Sequence, residues 1–209
     1  MISYLVPAGY GEAEFTEKRS RFIGRVWRTD SEAEALECLR KTREAHRDAT
    51  HNVYAYIIRE NNISRFSDDG EPQGTSGLPT LNVFTSEKVQ NVCCVITRYF
   101  GGTLLGAGGL VRAYSKAAKM ALDAAGISRM AQWRSYLISC EYNFFERAKY
   151  ILEEYEAVLK DTDFGADVVI EALLREDKGA DFEEKLTDAS AGKAHFEVVG
   201  REFLGVRIS

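Results

Sequence analysis

Five glycines lie within nine positions of the segment "TRYFGGTLLGAGGLVRAYSK", residues 97–116. The segment follows an apolar run of strand length and precedes an alanine-rich helical pattern, so it predicts a strand, a turn and a helix. Backbone N–H groups at a helix start are unpaired and carry the positive end of the helix dipole, which makes such a turn a seat for an anion. Glycines allow a phosphate to approach the backbone, and two arginines could add contacts. The predicted phosphate or nucleic-acid site consists of Arg98, Tyr99, Gly101, Gly102, Gly106, Gly108, Gly109 and Arg112.

This turn does not match the known phosphate motifs. It has no GK[ST] sequence, and Val111 stands where a third glycine would be needed after Gly106 and Gly108 for a dinucleotide motif. An alternative therefore stays open, in which the glycines serve a tight turn packed against its own sheet. Arg98 and Arg112 would then pair with acidic residues of the chain.

Acidic residues cluster in the loop "RFSDDGEPQGTSG", residues 65–77. Their spacing departs from that of an EF-hand loop, so no metal site is predicted. A simpler interpretation is that Asx turns shape the loop while one carboxylate pairs with Arg98, Arg112 or Arg65. The residues predicted to support the site are Arg65, Asp68, Asp69, Glu71 and Gly74.

The remaining reactive residue types do not indicate catalysis or a cofactor. His46 and His51 lie five positions apart, too far for neighbouring ligands on one helix face, and His51 is predicted to have a capping or core role. No Ser or Cys has an evident base partner. The four cysteines form no CxxC pair, which favours small core residues in a reducing compartment. We therefore predict no catalytic residue and no cofactor, and treat an enzyme as the less favoured class.

Composition predicts a soluble protein with one large domain or two small ones. The chain has 209 residues, of which 45% are hydrophobic and 28% charged. No apolar stretch approaches the roughly 18 residues of a membrane span, and the start resembles no signal peptide, so we expect a cytoplasmic protein with no membrane partner. The net charge is +1 up to Gly126 and −6 from Ile127 onward. A polyanion would therefore prefer the first part of the chain.

The elements before Gly126 form a first unit. "RSRFIGRVWR" alternates as a strand does, and "TDSEAEALECLRKTREAHRD" predicts a helix with Asp30 or Ser31 as its N-cap and Glu34 at capping-box spacing. "HNVYAYIIRENNISRFSDD" predicts two strands joined at Asn61 and Asn62. A short helix with Pro79 in its first turn follows. "NVCCVITRYF" predicts a strand buried on both faces, and the helix after the glycine turn ends at Gly126.

The second unit reads as strand, helix, strand, strand, helix, strand. Its strands are predicted in "WRSYLISCEY", "VLKDTDF", "ADVVIEALLRE" and "KAHFEVVGREF", and its helices in "NFFERAKYILEEYEA", with Asn143 as cap, and "DFEEKLTDASA". This βαββαβ order is the ferredoxin-like pattern. We therefore predict an α/β (α+β) protein with domains at residues 1–128 and 129–209.

Four segments resemble the IMPACT/YigZ family: "SRFIG", "HNVYAYI", "RFSDDGEPQGTSGLP" and "VITRYFGGTLLGAGGLVRAY". The resemblance implies that the first domain shares the fold of domain II of a ribosomal small-subunit protein, of the fourth domain of elongation factor G and of GHMP kinases. It also implies that the second domain is similar to a late domain of elongation factor G. Eukaryotic relatives regulate translation through an additional N-terminal partner-binding domain, for which we expect no room before Ser20.

Three classes of function follow from these observations. The first is a non-enzymatic, translation-associated regulatory factor that binds RNA or the ribosome through the glycine turn. The second is a protein that binds or converts a nucleotide or phosphometabolite on a GHMP-kinase-like fold. The third is a protein-interaction module that works through the second domain, whose negative charge and lack of stacking aromatics disfavour single-stranded RNA.

Overall fold

The structure is a computed structural model that describes residues 3–208. The chain divides into two compact units, and each is described by itself. The larger unit contains Tyr4–Arg129 together with Val206, Arg207 and Ile208, and the smaller contains Met130–Gly205. No helix in the described range is long and apolar enough to cross a membrane.

The larger unit is built on an antiparallel sheet of five strands in the order β2-β3-β6-β4-β5. Its strands are β1 (Tyr4–Pro7), β2 (Gly11–Glu17), β3 (Ser20–Arg28), β4 (His51–Ile58), β5 (Ile63–Ser67) and β6 (Val92–Tyr99), of which β1 lies outside this sheet. Its helices are α1 (Glu32–Ala45), α2 (Gly77–Ser86) and α3 (Ala107–Ala125).

The central strand β6 is buried on both faces, as its continuous apolar sequence predicts. Cys94 and Ile96 belong to the core that contains α3, whereas Cys93 and Val95 belong to a second core that contains residues of α1. Successive side chains of a strand point to opposite faces, so helices cover this strand from both sides. The chain leaves the end of β6 at Tyr99 and enters α3 at Ala107 through the glycine turn.

Local sequence signals explain where several elements begin. The backbone N–H of Glu34 donates to Ser31 Oγ (3.3 Å), so Ser31 caps α1 as predicted. The Glu34 carboxylate accepts from the N–H of Asp30 (2.8 Å), one residue before the cap, in a variant of the capping box. The connection between β4 and β5 is a short 3₁₀ turn in which Asn61 and Asn62 both have positive φ. Asparagine tolerates this conformation, so the predicted turn is found at these residues.

The smaller unit has two helices and four strands, in which β8 pairs with β9, β9 pairs with β7, and β7 also pairs with β10. The strand β1 pairs with β7 as well, so the complete sheet has five strands. The elements are β7 (Ile127–Cys140), α4 (Phe145–Glu154), β8 (Val158–Phe164), β9 (Val168–Arg175), α5 (Gly179–Ala189) and β10 (His195–Arg207). Its core joins Tyr136 and Ile138 of β7 to Ile151 and Leu152 of α4 and to Phe182 of α5. The chain is therefore a mixed α and β protein with antiparallel sheets, and its smaller unit has a core of its own.

Two boundaries in the smaller unit differ from the sequence predictions. The strand β7 begins at Ile127, six residues before the predicted segment at Trp133, and its first residues belong to the larger unit. Asn143 is not the N-cap of α4, because a 3₁₀ turn at Tyr142–Phe144 precedes the helix and Phe144 occupies the cap position. The Asn143 amide instead donates to the Glu141 carboxylate (3.2 Å).

Candidate anion-binding site

The start of α3 presents backbone N–H groups with no internal partner. The first hydrogen bond of the helix runs from the Leu110 N–H to the Gly106 carbonyl (2.9 Å), and the cap residue Gly106 offers no side chain. Between residues 3 and 208, the N–H groups of Ala107, Gly108 and Gly109 have no acceptor. The positive end of a 19-residue helix is therefore open.

The glycines before α3 serve the turn in two ways. Gly102 and Gly106 have φ values of +81° and +74°, which other residues rarely adopt. At Gly101, a Cβ atom would lie 2.0 Å from the carbonyl carbon and oxygen of Arg19. Gly101 therefore has no side chain because the chain's own backbone, in the hairpin turn between β2 and β3, occupies that space.

The hairpin turn between β2 and β3 places a basic side chain beside α3. Lys18 and Arg19 form the turn, both with positive φ, and Lys18 lines a pocket of about 230 Å³ together with Arg112 and Lys116 of α3. We call this the cationic pocket. Its other lining residues are Phe15, Glu17, Leu105, Gly109 and Ala113.

The cations of the cationic pocket are exposed and unpaired. Within the described part of the chain, Lys18, Arg112 and Lys116 form no ion pair, and the contact of Lys116 is with the ring of Phe15, 4.3 Å from Nζ to the ring centre. Glu17 is the carboxylate that faces them in the lining. An excess of unpaired cations beside open helix amides is the chemistry that holds phosphate oxygens.

Arg98, in contrast, is buried and paired within the protein and does not line the cationic pocket. Its side chain is 5% exposed, and Nη1 donates to Glu71 Oε1 at 2.5 Å while Nη2 donates to Ser20 Oγ at 3.1 Å. The prediction that Arg98 and Arg112 face the same anion therefore requires correction. Burial favours a paired guanidinium, and the alternative pairing with an acidic residue is the one formed.

Glu71 is the centre of a buried polar network. Its Oε1 accepts hydrogen bonds from Arg98 and from the Tyr114 hydroxyl (2.8 Å), and His51 Nε2 lies 3.7 Å away. Burial, and then the neighbouring Glu71 carboxylate, raise the pKa of Tyr114 well above its usual value. Tyr114 therefore stays protonated and serves as a hydrogen-bond donor.

The other acidic residues of the loop shape the backbone. Asp68 accepts hydrogen bonds from the N–H groups of Gly74 (2.8 Å) and Gly77 (2.8 Å), so it caps α2 from outside the helix. Burial opposes ionisation of Asp68, but these hydrogen bonds outweigh it and lower its pKa. Asp69 pairs with Arg43 (2.6 Å) and accepts from the Asn52 N–H (2.6 Å).

Two predicted residues lie apart from the glycine turn. The Tyr99 hydroxyl lies 2.8 Å from His46 Nδ1 and donates to Asp48 at 3.3 Å, so it contacts the end of α1. Burial and the Asp48 carboxylate raise the pKa of Tyr99. Arg65 is exposed on β5, and its guanidinium donates to the carbonyl of the adjacent Ser64 (3.3 Å).

Sequence reasoning missed Lys18 and Lys116. The spacing of Arg112 and Lys116, four positions apart on one helix face, was a usable signal for the second. The contribution of Lys18 depends on the approach of Arg19 to Gly101, which no local pattern reveals. In the described range, no group of three or more His, Cys, Asp or Glu side chains could hold a metal ion.

Comparison with known proteins finds matches over both units. The family described as "Impact N-terminal domain" matches residues 18–122, and "Domain of unknown function (DUF1949)" matches residues 138–193. IMPACT family member YvyE of Bacillus subtilis (strain 168) is 37% identical over 193 residues, 92% of this chain and 89% of that protein. IMPACT family member YigZ of Escherichia coli (strain K12) is 34% identical over 195 residues, 92% of this chain and 96% of that protein.

A solved structure described as "Crystal structure of an hypothetical protein" is also similar. It shares 32% sequence identity, with a TM-score of 0.60, over 96% of this chain and 98% of that one. The similarity therefore extends over nearly the whole chain in both sequence and fold.

Proposed function

Because this chain belongs to the IMPACT family, we propose that it is a translation-associated factor that binds RNA, alone or in the ribosome, through the cationic pocket. The observation that carries the proposal is the set of three unpaired cations, Lys18, Arg112 and Lys116, beside the open amides of α3. Phosphate contacts of this kind give affinity without reading sequence.

Each part of the pocket has a defined role in this proposal. The amides of Ala107, Gly108 and Gly109 donate to phosphate oxygens, and the Arg112 guanidinium adds a bidentate contact. Lys18 and Lys116 supply charge from opposite walls. The buried Arg98 acts indirectly, since its bonds to Glu71 and Ser20 tie β6 to the strand that begins after the hairpin turn.

The finer fold assignments support the same proposal. We take the larger unit to share the fold of domain II of a ribosomal small-subunit protein, of the fourth domain of elongation factor G and of GHMP kinases, as the family resemblance implies. We take the smaller unit as ferredoxin-like, which its strand order β10-β7-β9-β8 supports. We place the factor in the cytoplasm, in line with four cysteines that are all free.

The proposal is tested by the salt dependence of RNA binding. A double variant, Arg112→Ala with Lys116→Ala, is compared with wild type for a single-stranded RNA over a range of salt concentrations. Loss of two phosphate contacts should reduce the slope of log K against log salt by roughly 1.4, because each contact to a single strand contributes about 0.7.

A matched control removes the same charge elsewhere. The variant Arg129→Ala with Lys160→Ala loses two exposed cations that do not line the cationic pocket. It should keep the wild-type slope. If both double variants show the same slope, binding is not through the cationic pocket and the proposal fails.

A further inference from the structure

A second cavity opens on the other side of Leu105, and we call it the Glu71 cavity. It has a volume of about 350 Å³, and its walls include the apolar side chains of Phe100, Leu104 and Leu110. Glu71 and Arg98 also line it, so an apolar space contains two charged groups. Phe100 and Leu104 are 45% and 81% exposed, which leaves the entrance accessible.

The charged groups of the Glu71 cavity have unused hydrogen-bonding capacity. The Glu71 side chain is 3% exposed, and all of its contacts with Arg98, Tyr114 and His51 involve Oε1. In the described part of the chain Oε2 accepts no hydrogen bond, and the buried Nε of Arg98 has no partner. Buried polar groups are normally satisfied, so the buried Arg98 Nε lacks an expected acceptor. Glu71 Oε2 is not fully enclosed and is free to accept a hydrogen bond from a donor that enters the cavity.

The two cavities are neighbours at the start of α3. Leu105 lines both, Gly106 and Ala107 line the Glu71 cavity, and Gly109 and Arg112 line the cationic pocket. The open amides of the first helical turn lie between them. A ligand that fills both spaces needs an anionic group for one and a flat, largely apolar body with a hydrogen-bond donor for the other.

We propose that the Glu71 cavity is a nucleobase pocket that selects bases carrying an exocyclic amino group. This inference rests on the proposed function and names its ligand: a nucleotide whose phosphate occupies the cationic pocket and whose base enters the Glu71 cavity. The amino group of adenine or cytosine donates to Glu71 Oε2, as carboxylates accept from such groups elsewhere. Phe100 supplies an aromatic surface for the base.

Uracil is the base that this pocket should reject. It has no amino group, and its remaining donor on that edge, N3–H, lies between two carbonyl oxygens that the Glu71 carboxylate repels. The cationic pocket is indifferent to the base, since it contacts phosphate. The RNA therefore binds through its backbone, and the Glu71 cavity adds a preference.

The test uses the full chain and labelled eight-nucleotide RNAs of adenosine, cytidine or uridine, with affinity measured by fluorescence anisotropy. We expect the adenosine and cytidine RNAs to bind about tenfold more tightly than the uridine RNA, the ratio that one hydrogen bond to a charged group supplies. Equal affinity for all three RNAs would overturn the nucleobase pocket while leaving phosphate binding by the cationic pocket intact.

Two variants assign the preference to the Glu71 cavity. Leu104→Trp places a larger ring at a lining position that is 81% exposed, without altering the Glu71–Arg98 pair. The affinity of the adenosine RNA should therefore fall to that of the uridine RNA, which should not change. Glu71→Gln offers an amide donor in place of a carboxylate oxygen and should reduce the preference for adenosine. Leu104→Trp decides the question if Glu71→Gln fails to fold, and retention of the full preference in Leu104→Trp contradicts the proposal.

Free nucleotides distinguish a chain from a small molecule as the source of the base. Adenosine and uridine monophosphate are titrated into the same protein. Tighter binding of adenosine monophosphate, even where no RNA binds, supports the pocket and identifies a free nucleotide as its ligand. A preference seen with the RNAs but not with the free nucleotides identifies an RNA chain as the ligand. If neither the nucleotides nor the RNAs show a preference, the inference is wrong.

Discussion

At the scale of single residues, the stability of the larger unit should depend strongly on the buried ion pair between Arg98 and Glu71. Both side chains are almost fully buried, at 5% and 3% exposure. Burial of two charges carries a large desolvation cost that their mutual contact offsets, with help from the hydrogen bonds to Ser20 and from Tyr114. Removal of one partner leaves the other charge without its counterion. Arg98→Met should therefore lower the free energy of unfolding by about 3–5 kcal/mol, measured by urea denaturation.

The control is an ion pair of similar length on the surface. Arg21 Nη2 lies 2.6 Å from Glu14 Oε2, with the two side chains 52% and 55% exposed. Solvent screens such a pair, so Arg21→Met should lower the free energy of unfolding far less than Arg98→Met does. If Arg98→Met and Arg21→Met lower the free energy of unfolding equally, burial does not determine how much the Arg98–Glu71 pair contributes to stability.

At the residue level, the sequence predicted the polar groups of this region but not how they pair. The sequence allowed a carboxylate of the acidic loop to pair with Arg98, Arg112 or Arg65, and the structure selects Glu71 with Arg98. Local pattern could not make that selection, because it depends on which arginine the sheet buries. Likewise Lys18 enters the cationic pocket only through a tertiary contact between segments some eighty residues apart.

At the scale of elements, the glycine turn should respond differently at two of its positions. At Gly101 a Cβ would overlap the Arg19 backbone at 2.0 Å, whereas at Gly108 the nearest atom is Arg112 Nη1 at 3.6 Å. Gly101→Ala should therefore destabilise the protein by about 1–3 kcal/mol, as overpacking does. Gly108→Ala should stabilise it by up to about 1 kcal/mol, since alanine favours the helix.

Thermal unfolding of the two variants measures this difference directly. Gly108→Ala is the control for the loss of a glycine as such, because it lies in the same segment and has a free position for the methyl group. A destabilisation of similar size in both variants would mean that the approach of Arg19 to Gly101 is not what excludes a side chain.

The start of α2 makes a prediction about pH. Hydrogen bonds from Gly74, Ser76 and Gly77 lower the pKa of Asp68 against the opposing effect of burial. A lowered pKa adds stability above the pKa of the unfolded chain, about 4, and this stability is lost as the pH falls through the folded value. Asp68→Asn should cost about 1–2 kcal/mol at pH 7, as loss of a helix cap does.

Urea denaturation at neutral and acid pH tests the sign. The difference between wild type and Asp68→Asn should shrink when the measurement is repeated near pH 3, where the carboxylate of the unfolded chain is protonated. A difference that is the same at both pH values would show that the charge on Asp68 contributes nothing to the cap.

Helices and strands were predictable where the neighbouring sequence alone determines their hydrogen bonds and burial. The box at Ser31 and Glu34 identified the start of α1, and the apolar run of β6 identified a strand covered on both faces. The early start of β7 at Ile127 was missed because its first residues mix polar and apolar types without alternation. The prediction of Asn143 as the N-cap of α4 was wrong because a 3₁₀ turn precedes the helix at this point.

At the scale of the whole molecule, charge and packing both divide the chain near the same point. The part up to Gly126 has a net charge of +1 and contains the cationic pocket, whereas the remainder has −6. The larger unit therefore repels a polyanion less than the smaller unit does. The division of labour proposed here follows: the larger unit contacts phosphates, and the smaller unit is open to a protein partner.

Each unit also has its own core and one of the two tryptophans, so the units should respond separately to core substitutions. Trp27 lies in the larger unit and Trp133 in the smaller. Leu152→Ala empties the core of the smaller unit and should cost it about 2–5 kcal/mol. Each unit is followed by its own tryptophan after the other is replaced by phenylalanine. With Trp27→Phe, the urea midpoint reported by Trp133 should fall on adding Leu152→Ala. With Trp133→Phe, the urea midpoint reported by Trp27 should not change.

Leu122→Ala provides the reciprocal control, because Leu122 is fully buried in the core around α3. This substitution should lower the urea midpoint reported by Trp27 and should not change the midpoint reported by Trp133. Coincident shifts of both tryptophans in either variant would mean that the chain unfolds as a single cooperative unit. Separate shifts would instead allow the RNA contact of the larger unit to be measured in variants whose smaller unit is weakened, which separates its role from that of a protein partner.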